Sequence, residues 1–151
     1  MLRTRLTDAL KTAMKDKDTM STATLRLILA ALKDRDIAAR SKGIDAIISD
    51  DDVLGLLQSM IKQRRESISL YEQGGRMELA QQEAKEIAVI EKFLPEQMND
   101  DEIASAISLI ITESKATNLK DMGRVMSSLK EKHAGKMDFS KASTLVKVRL
   151  S

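Results

Sequence analysis

The sequence predicts an all-α protein, with an N-terminal helical domain containing a long helical hairpin over residues 1–95 and a small C-terminal three-helix bundle over residues 96–151. Three observations carry this expectation. Hydrophobic residues make up 42% of the 151-residue chain, enough to build a core. Aromatic residues make up only 2%, so the core must come from Leu, Ile, Val, Met and Ala, which favours interdigitating helices over a sandwich of sheets. Apolar residues also recur at intervals of three and four, with one proline and six glycines to interrupt them.

The elements follow in order. Leu2, Leu6, Ala9, Leu10 and Ala13 mark a first helix that ends in the polar run Asp16-Lys17-Asp18-Thr19. Thr19 or Ser21 is suited to cap a second helix, whose stripe of Leu25, Ile28, Leu29, Leu32 and Ile37 runs to Ser41-Lys42-Gly43. The loop from Gly43 to Ser49 is apolar enough to pack down. Ser49 or Asp50 opens a third helix whose acidic first turn complements the helix dipole, and this helix runs to about Gln73. Gly74-Gly75 ends it, and so tight a connection joins antiparallel neighbours, so a helix over 77–94 folds back to complete the hairpin.

Pro95 disfavours helix at Leu94 and marks the domain boundary. Beyond it, Asn99 with Glu102 makes a capping pair, Asn118 opens the next helix, Gly135 ends that one and Asp138 caps the last. The three stripes are Ile103, Ile107, Ile110 and Ile111; Leu119, Met122, Met126 and Leu129; and Phe139, Ala142, Leu145, Val146 and Leu150. They suit a three-helix bundle.

Composition also excludes functions. Without cysteine there is no disulfide, thiolate nucleophile or cysteine metal site. Met1-Leu2-Arg3-Thr4 begins no signal-peptide apolar run, and no segment approaches the roughly 20 apolar residues needed to cross a bilayer. The expectation is a cytoplasmic protein without a membrane partner. The one histidine, His133, sits in a Lys-rich helix end where a dipole contact explains it without catalysis. Gly74-Gly75 lacks the spacing of a nucleotide-binding loop, and Asp50-Asp51-Asp52 lacks that of a calcium loop and reads as a helix start. No catalytic residue, cofactor or metal site is therefore expected.

Charge supplies the remaining candidates. The net charge of +2 is uneven: residues 96–113 carry five acids and no Lys or Arg, whereas residues 114–151 carry nine basic residues against three acids. Lys120, Arg124, Lys130, Lys132, Lys136, Lys141, Lys147 and Arg149 can form one basic surface. The scarcity of aromatics favours contact with the backbone and shape of folded RNA over stacking on splayed bases, with a solvated surface as the alternative. Arg26, Lys33 and Arg40 stand seven apart on the second helix and form either a solvated face or a phosphate-tracking edge. Arg64 interrupts the stripe Leu57, Ile61, Ile68, Tyr71, so it needs a carboxylate from Glu83, Glu86 or Glu91, or else meets a ligand or partner in a groove between domains. Gly123 costs helix stability and is expected to permit close packing, against a partner for instance.

The segment Met60-Ile61-Lys62-Gln63-Arg64-Arg65-Glu66-Ser67-Ile68 is followed by Tyr71-Glu72 and Gly75-Arg76, then Glu83, Glu86-Ile87 and Leu94-Pro95. Asp121-Met122-Gly123-Arg124-Val125-Met126 and Leu145-Val146-Lys147 complete an ordered set. With these motifs the chain resembles the GatB/YqeY family essentially end to end. The resemblance implies a helical domain followed by a small bundle, similar to the C-terminal part of the B subunit of the tRNA-dependent amidotransferase, a carbon-nitrogen ligase with glutamine as amido donor. In that enzyme this region is an appendage that meets the tRNA body.

The resemblance therefore implies a non-catalytic tRNA-binding or amidotransferase-associated module. Its implied partners are tRNA, amidotransferase subunits or an aminoacyl-tRNA synthetase. The implied tRNA-facing residues are Lys120, Arg124, Lys130, Lys132, Lys136, Lys147 and Arg149. The segment Lys130-Glu131-Lys132-His133 departs from family versions with proline or smaller residues, and Met137-Asp138-Phe139 lacks the glycine often found after the aspartate. The rival reading is a protein-interaction adaptor that binds no nucleic acid and uses an apolar face or the Gly123 face, and Arg64 and Gly123 are the structural or partner-facing candidates.

Overall fold

A computed structural model of the protein describes residues 1–43 and 47–151, and every regular element among them is helical. In chain order these are α1 (Leu2–Lys15), α2 (Thr19–Ser41), α3 (Asp50–Gln73), α4 (Met77–Glu91), α5 (Asp100–Ser114), a 3-10 turn (Leu119–Asp121), α6 (Met122–Lys132) and α7 (Phe139–Leu150). The chain divides into two compact units, Met1–Leu94 and Pro95–Ser151.

In the first unit, α3 and α4 form an extensive hairpin joined through Gly74 and Gly75, and Gly75 takes the left-handed φ of 71° that glycine adopts without strain. Leu6, Ile28, Val53, Leu57 and Ile90 are fully buried and hold α1, α2, α3 and α4 together. Ser49 caps α3 by accepting the Asp52 N–H. The cap of α2 is Asp18, not Thr19 or Ser21: its carboxylate accepts the Ser21 N–H at 3.1 Å and the Ser21 hydroxyl at 2.7 Å. These bonds also hold the Asp18 carboxyl below its usual pKa.

Three further expectations are corrected. Ile37 is 52% exposed, and the inward position belongs to Asp36, which continues the helical series Leu25, Ile28, Leu32 more closely. Ile47 is exposed and only Ile48 packs on the core, while residues 44–46 of the same loop lie outside the described residues. The α4 helix ends at Glu91 and not at Leu94: Lys92, Phe93 and Leu94 form a turn that buries Phe93 before Pro95.

In the second unit, Asn99 and Glu102 form a reciprocal capping box at the start of α5. The core joins Ile103, Ile107 and Ile110 with Val125 and Leu129 and with Ala142, Val146 and Leu150. Leu119, expected inside, is exposed, because Asn118 opens a 3-10 turn and the α-helical register begins only at Met122, which makes Val125 the buried residue one turn before Leu129. Two contacts set α5 and α7 parallel: Lys141 pairs with Asp100, and eight residues further along each helix Arg149 donates to the Ser108 hydroxyl.

Candidate nucleic-acid interface

The C-terminal cations fall into two groups, sorted by what the helices place beside them. Arg124, Lys132 and Lys141 face carboxylates. Arg124 donates to Asp121 at 2.9 Å, Lys132 reaches Glu113 on α5 at 3.1 Å, and Lys141 pairs with Asp100. Arg149 is held by the Ser108 hydroxyl. These contacts are exposed and screened by solvent, so each orients its cation without locking it. Lys120, Lys130, Lys136 and Lys147 are exposed and pair with no carboxylate among the described residues.

The turn after α6 is anchored from below. Gly135, buried with φ of 73°, has its carbonyl bonded by the Gln97 side-chain amide, and the Lys136 carbonyl accepts the Met98 N–H at 2.7 Å. Lys136 therefore extends from a fixed backbone. Gly123 and Lys130 are seven residues apart and share a face of α6. Gly123 does not permit close packing inside the chain: it is exposed in the first turn of α6, and a methyl group there meets no atom within 4 Å.

His133 is the C-cap of α6, at the helix end where the sequence places it. Partial burial and the neighbouring Lys136 and Lys132 push its pKa down, so the neutral imidazole is favoured.

Arg64 lies on α3 within the first unit and is half-buried there. It donates to Glu86 on α4 at 3.2 Å and to the Met60 carbonyl at 3.2 Å, with Glu83 at 3.9 Å. Glu91 instead pairs with the exposed Arg65. Burial and the adjacent Glu86 push the Glu83 pKa up despite Arg64, because the Arg64 guanidinium is committed to the nearer carboxylate. The other face of Arg64 borders an open cleft of about 430 Å³ between α2 and α3, lined by Leu27, Ala31, Met60 and Gln63.

Sequence reading missed a second polar contact, in which Arg3 makes a two-pronged bond to Asp36 at 2.7 and 2.9 Å while Asp36 also accepts the Ile48 N–H at 3.0 Å. The available signal was an aspartate on the inward face of α2. Among the described residues no group of three His, Cys, Asp or Glu side chains is placed to hold a metal, and no helix is long and apolar enough to cross a membrane.

A family model described as Yqey-like protein matches residues 3–150. The chain is also similar to "Altered inheritance of mitochondria protein 41, mitochondrial" of Lachancea thermotolerans, with 32% identity over 72% of this chain and 57% of that protein. The protein of the same name from Eremothecium gossypii is 31% identical over 72% of this chain and 58% of its own length, so the chain spans less than two thirds of either relative. The expected cytoplasmic location is corrected by these relatives, which are named as mitochondrial. The criterion behind it was the lack of an apolar leader, and mitochondrial transit segments are amphipathic and Arg-rich, so that criterion does not detect them.

Proposed function

Because the chain belongs to the Yqey-like protein family, we propose that it is a module without catalysis of its own that binds the backbone of folded RNA through its C-terminal unit. By the family resemblance the RNA is transfer RNA and the setting is tRNA-dependent amidation. The observation that supports this reading is the set of exposed lysines without a carboxylate partner among the described residues: Lys120, Lys130, Lys136 and Lys147. Ammonium groups on flexible stems suit phosphates whose positions vary, and four to seven such contacts make affinity fall steeply with salt. Arg124, Lys132 and Arg149 join on contact, exchanging weak exposed partners for phosphate oxygens.

The test is fluorescence anisotropy of labelled total tRNA across a salt series. Saturable binding with a log–log salt slope of roughly −3 to −6 is expected. Replacing Lys130 and Lys147 with Gln should reduce that slope by about two phosphate contacts. Absence of binding at low salt, or an unchanged slope in the double variant, would refute the proposal.

A further inference from the structure

The α2 helix carries two apolar faces, and only one is used by the core. Thr24, Leu25, Ile28 and Leu32 point inward. A second stripe made of Leu27, Ala30, Ile37 and Ala38 follows the three-and-four spacing of a coiled-coil seam on a different side of the helix, with Ala31, half-buried against the core, at its edge. Leu27 is 51% exposed and Ile37 52% exposed. Leu27 and Ile37 are about 15 Å apart along the helix axis, two to three turns of a docking helix. At its N-terminal part Leu27, Ala31 and Asp34 border the cleft whose opposite wall is α3, and Ile37 and Ala38 lie beyond it.

Taking Leu27 as position a of a heptad, Ala30 and Ile37 are d positions and Asp34 is the next a. Arg26, Lys33 and Arg40 then all occupy g, the position that flanks the seam and selects a partner by charge. All three are exposed, and none forms an ion pair with a carboxylate among the described residues, although Arg40 is near enough to help lower the pKa of Asp36.

We propose that this face of α2 docks an amphipathic helix of a partner protein that carries Glu or Asp beside its apolar seam. The uniform positive sign of the three flanking residues commits the partner to acidic residues. Small exposed side chains at Ala30 and Ala38 let the two backbones approach, and Leu27 and Ile37 supply the anchors. The polar Asp34 at an a position sets the register. A phosphate backbone would leave Leu27 and Ile37 without a role, and for that reason the stripe is assigned to a protein helix and not to RNA. This surface lies in the first unit, so the assignment stands independently of RNA binding by the second.

The full-length chain is titrated, by fluorescence anisotropy, into two labelled synthetic helices of about three heptads with Leu at a and d. One has Glu at every flanking position and the other Lys. The acidic helix is expected to bind saturably and the basic one at least about tenfold more weakly. Ile37→Glu should abolish binding, and the combined Arg26→Glu, Lys33→Glu, Arg40→Glu variant should reverse the preference. Both changes are at exposed side chains, and unchanged thermal melts confirm the folded state.

Equal binding of the two helices, no binding of either, or binding that survives Ile37→Glu overturns the proposal. So does concentration-dependent self-association removed by Ile37→Glu, which assigns the face to a second copy. Loss of tRNA affinity in the triple variant with no change in peptide preference overturns it as well, and assigns the stripe to RNA.

Discussion

The Arg64 guanidinium on α3 donates to the Glu86 carboxylate on α4 at 3.2 Å, a half-buried ion pair across the long hairpin. Glu83, one turn earlier on α4, is left with the longer approach of 3.9 Å and a raised pKa. The cluster thus holds two carboxylates for one cation, and they are not equivalent.

Removing each carboxylate should have opposite effects. Glu86→Gln strips the partner from a half-buried arginine and is expected to cost about 2–4 kcal/mol. Glu83→Gln removes a poorly compensated charge and should raise stability at pH 7. The pH dependence has a definite sign. A carboxyl whose folded pKa lies above its unfolded value contributes stability that is fully present below the unfolded value and is lost as pH rises through the folded pKa. Urea midpoints of wild type and Glu83→Gln should therefore differ at pH 7 and converge toward acid.

Asp36 works in the other direction. The Arg3 bonds and the Ile48 N–H hold its carboxyl below the usual range, so its contribution is present above the unfolded pKa and lost as pH falls through the folded one. Asp36→Asn should cost about 2–4 kcal/mol at pH 7. Combining it with Arg3→Gln should add much less than the sum of the two single changes, as measured by a double-mutant cycle in urea.

His133 should make the protein less stable in mild acid. Its folded pKa is lowered by burial, Lys136 and Lys132, so the unfolded chain binds the proton more tightly. Stability falls as pH drops from the ordinary imidazole value of about 6.5 toward the lower folded pKa. His133→Gln should flatten this slope. Thermal melts from pH 7.5 to 5 report the difference, and identical slopes would show that the imidazole titrates alike in both states.

Gly123→Ala separates folding from recognition. With no atom within 4 Å of the added methyl and no left-handed φ to strain, it should stabilise the protein by about 0.5–1 kcal/mol through a stiffer unfolded chain. If a partner or RNA backbone approaches this first turn of α6, the same change lowers affinity while raising the melting temperature.

Much of the helical architecture was legible in the chain, because helix starts and stops depend on neighbouring residues. Ser49, Asn99 with Glu102, Gly74-Gly75 and Pro95 act through bonds and dihedral limits that close within a few positions. Where two caps were a residue or two apart, local chemistry alone did not choose, and Asp18 took the place expected for Thr19 or Ser21. The register errors at Ile37 and Leu119 have a different origin. The α2 helix has apolar residues on two faces, and the second unit enters α6 through a 3-10 turn that shifts the phase of the stripe.

By itself, then, the sequence determined helix content, family and the basic character of the tail, all of which follow from composition, periodicity and local motifs. Tertiary structure decided which charges pair: Arg64 with Glu86 and not Glu91, Arg3 with Asp36, and Arg124 and Lys132 with acids while Lys130 and Lys147 remain exposed. It also decided which face of α2 is left open. The physical reason is that burial and Coulomb interactions depend on distances between residues far apart in the chain, and no local pattern encodes those distances.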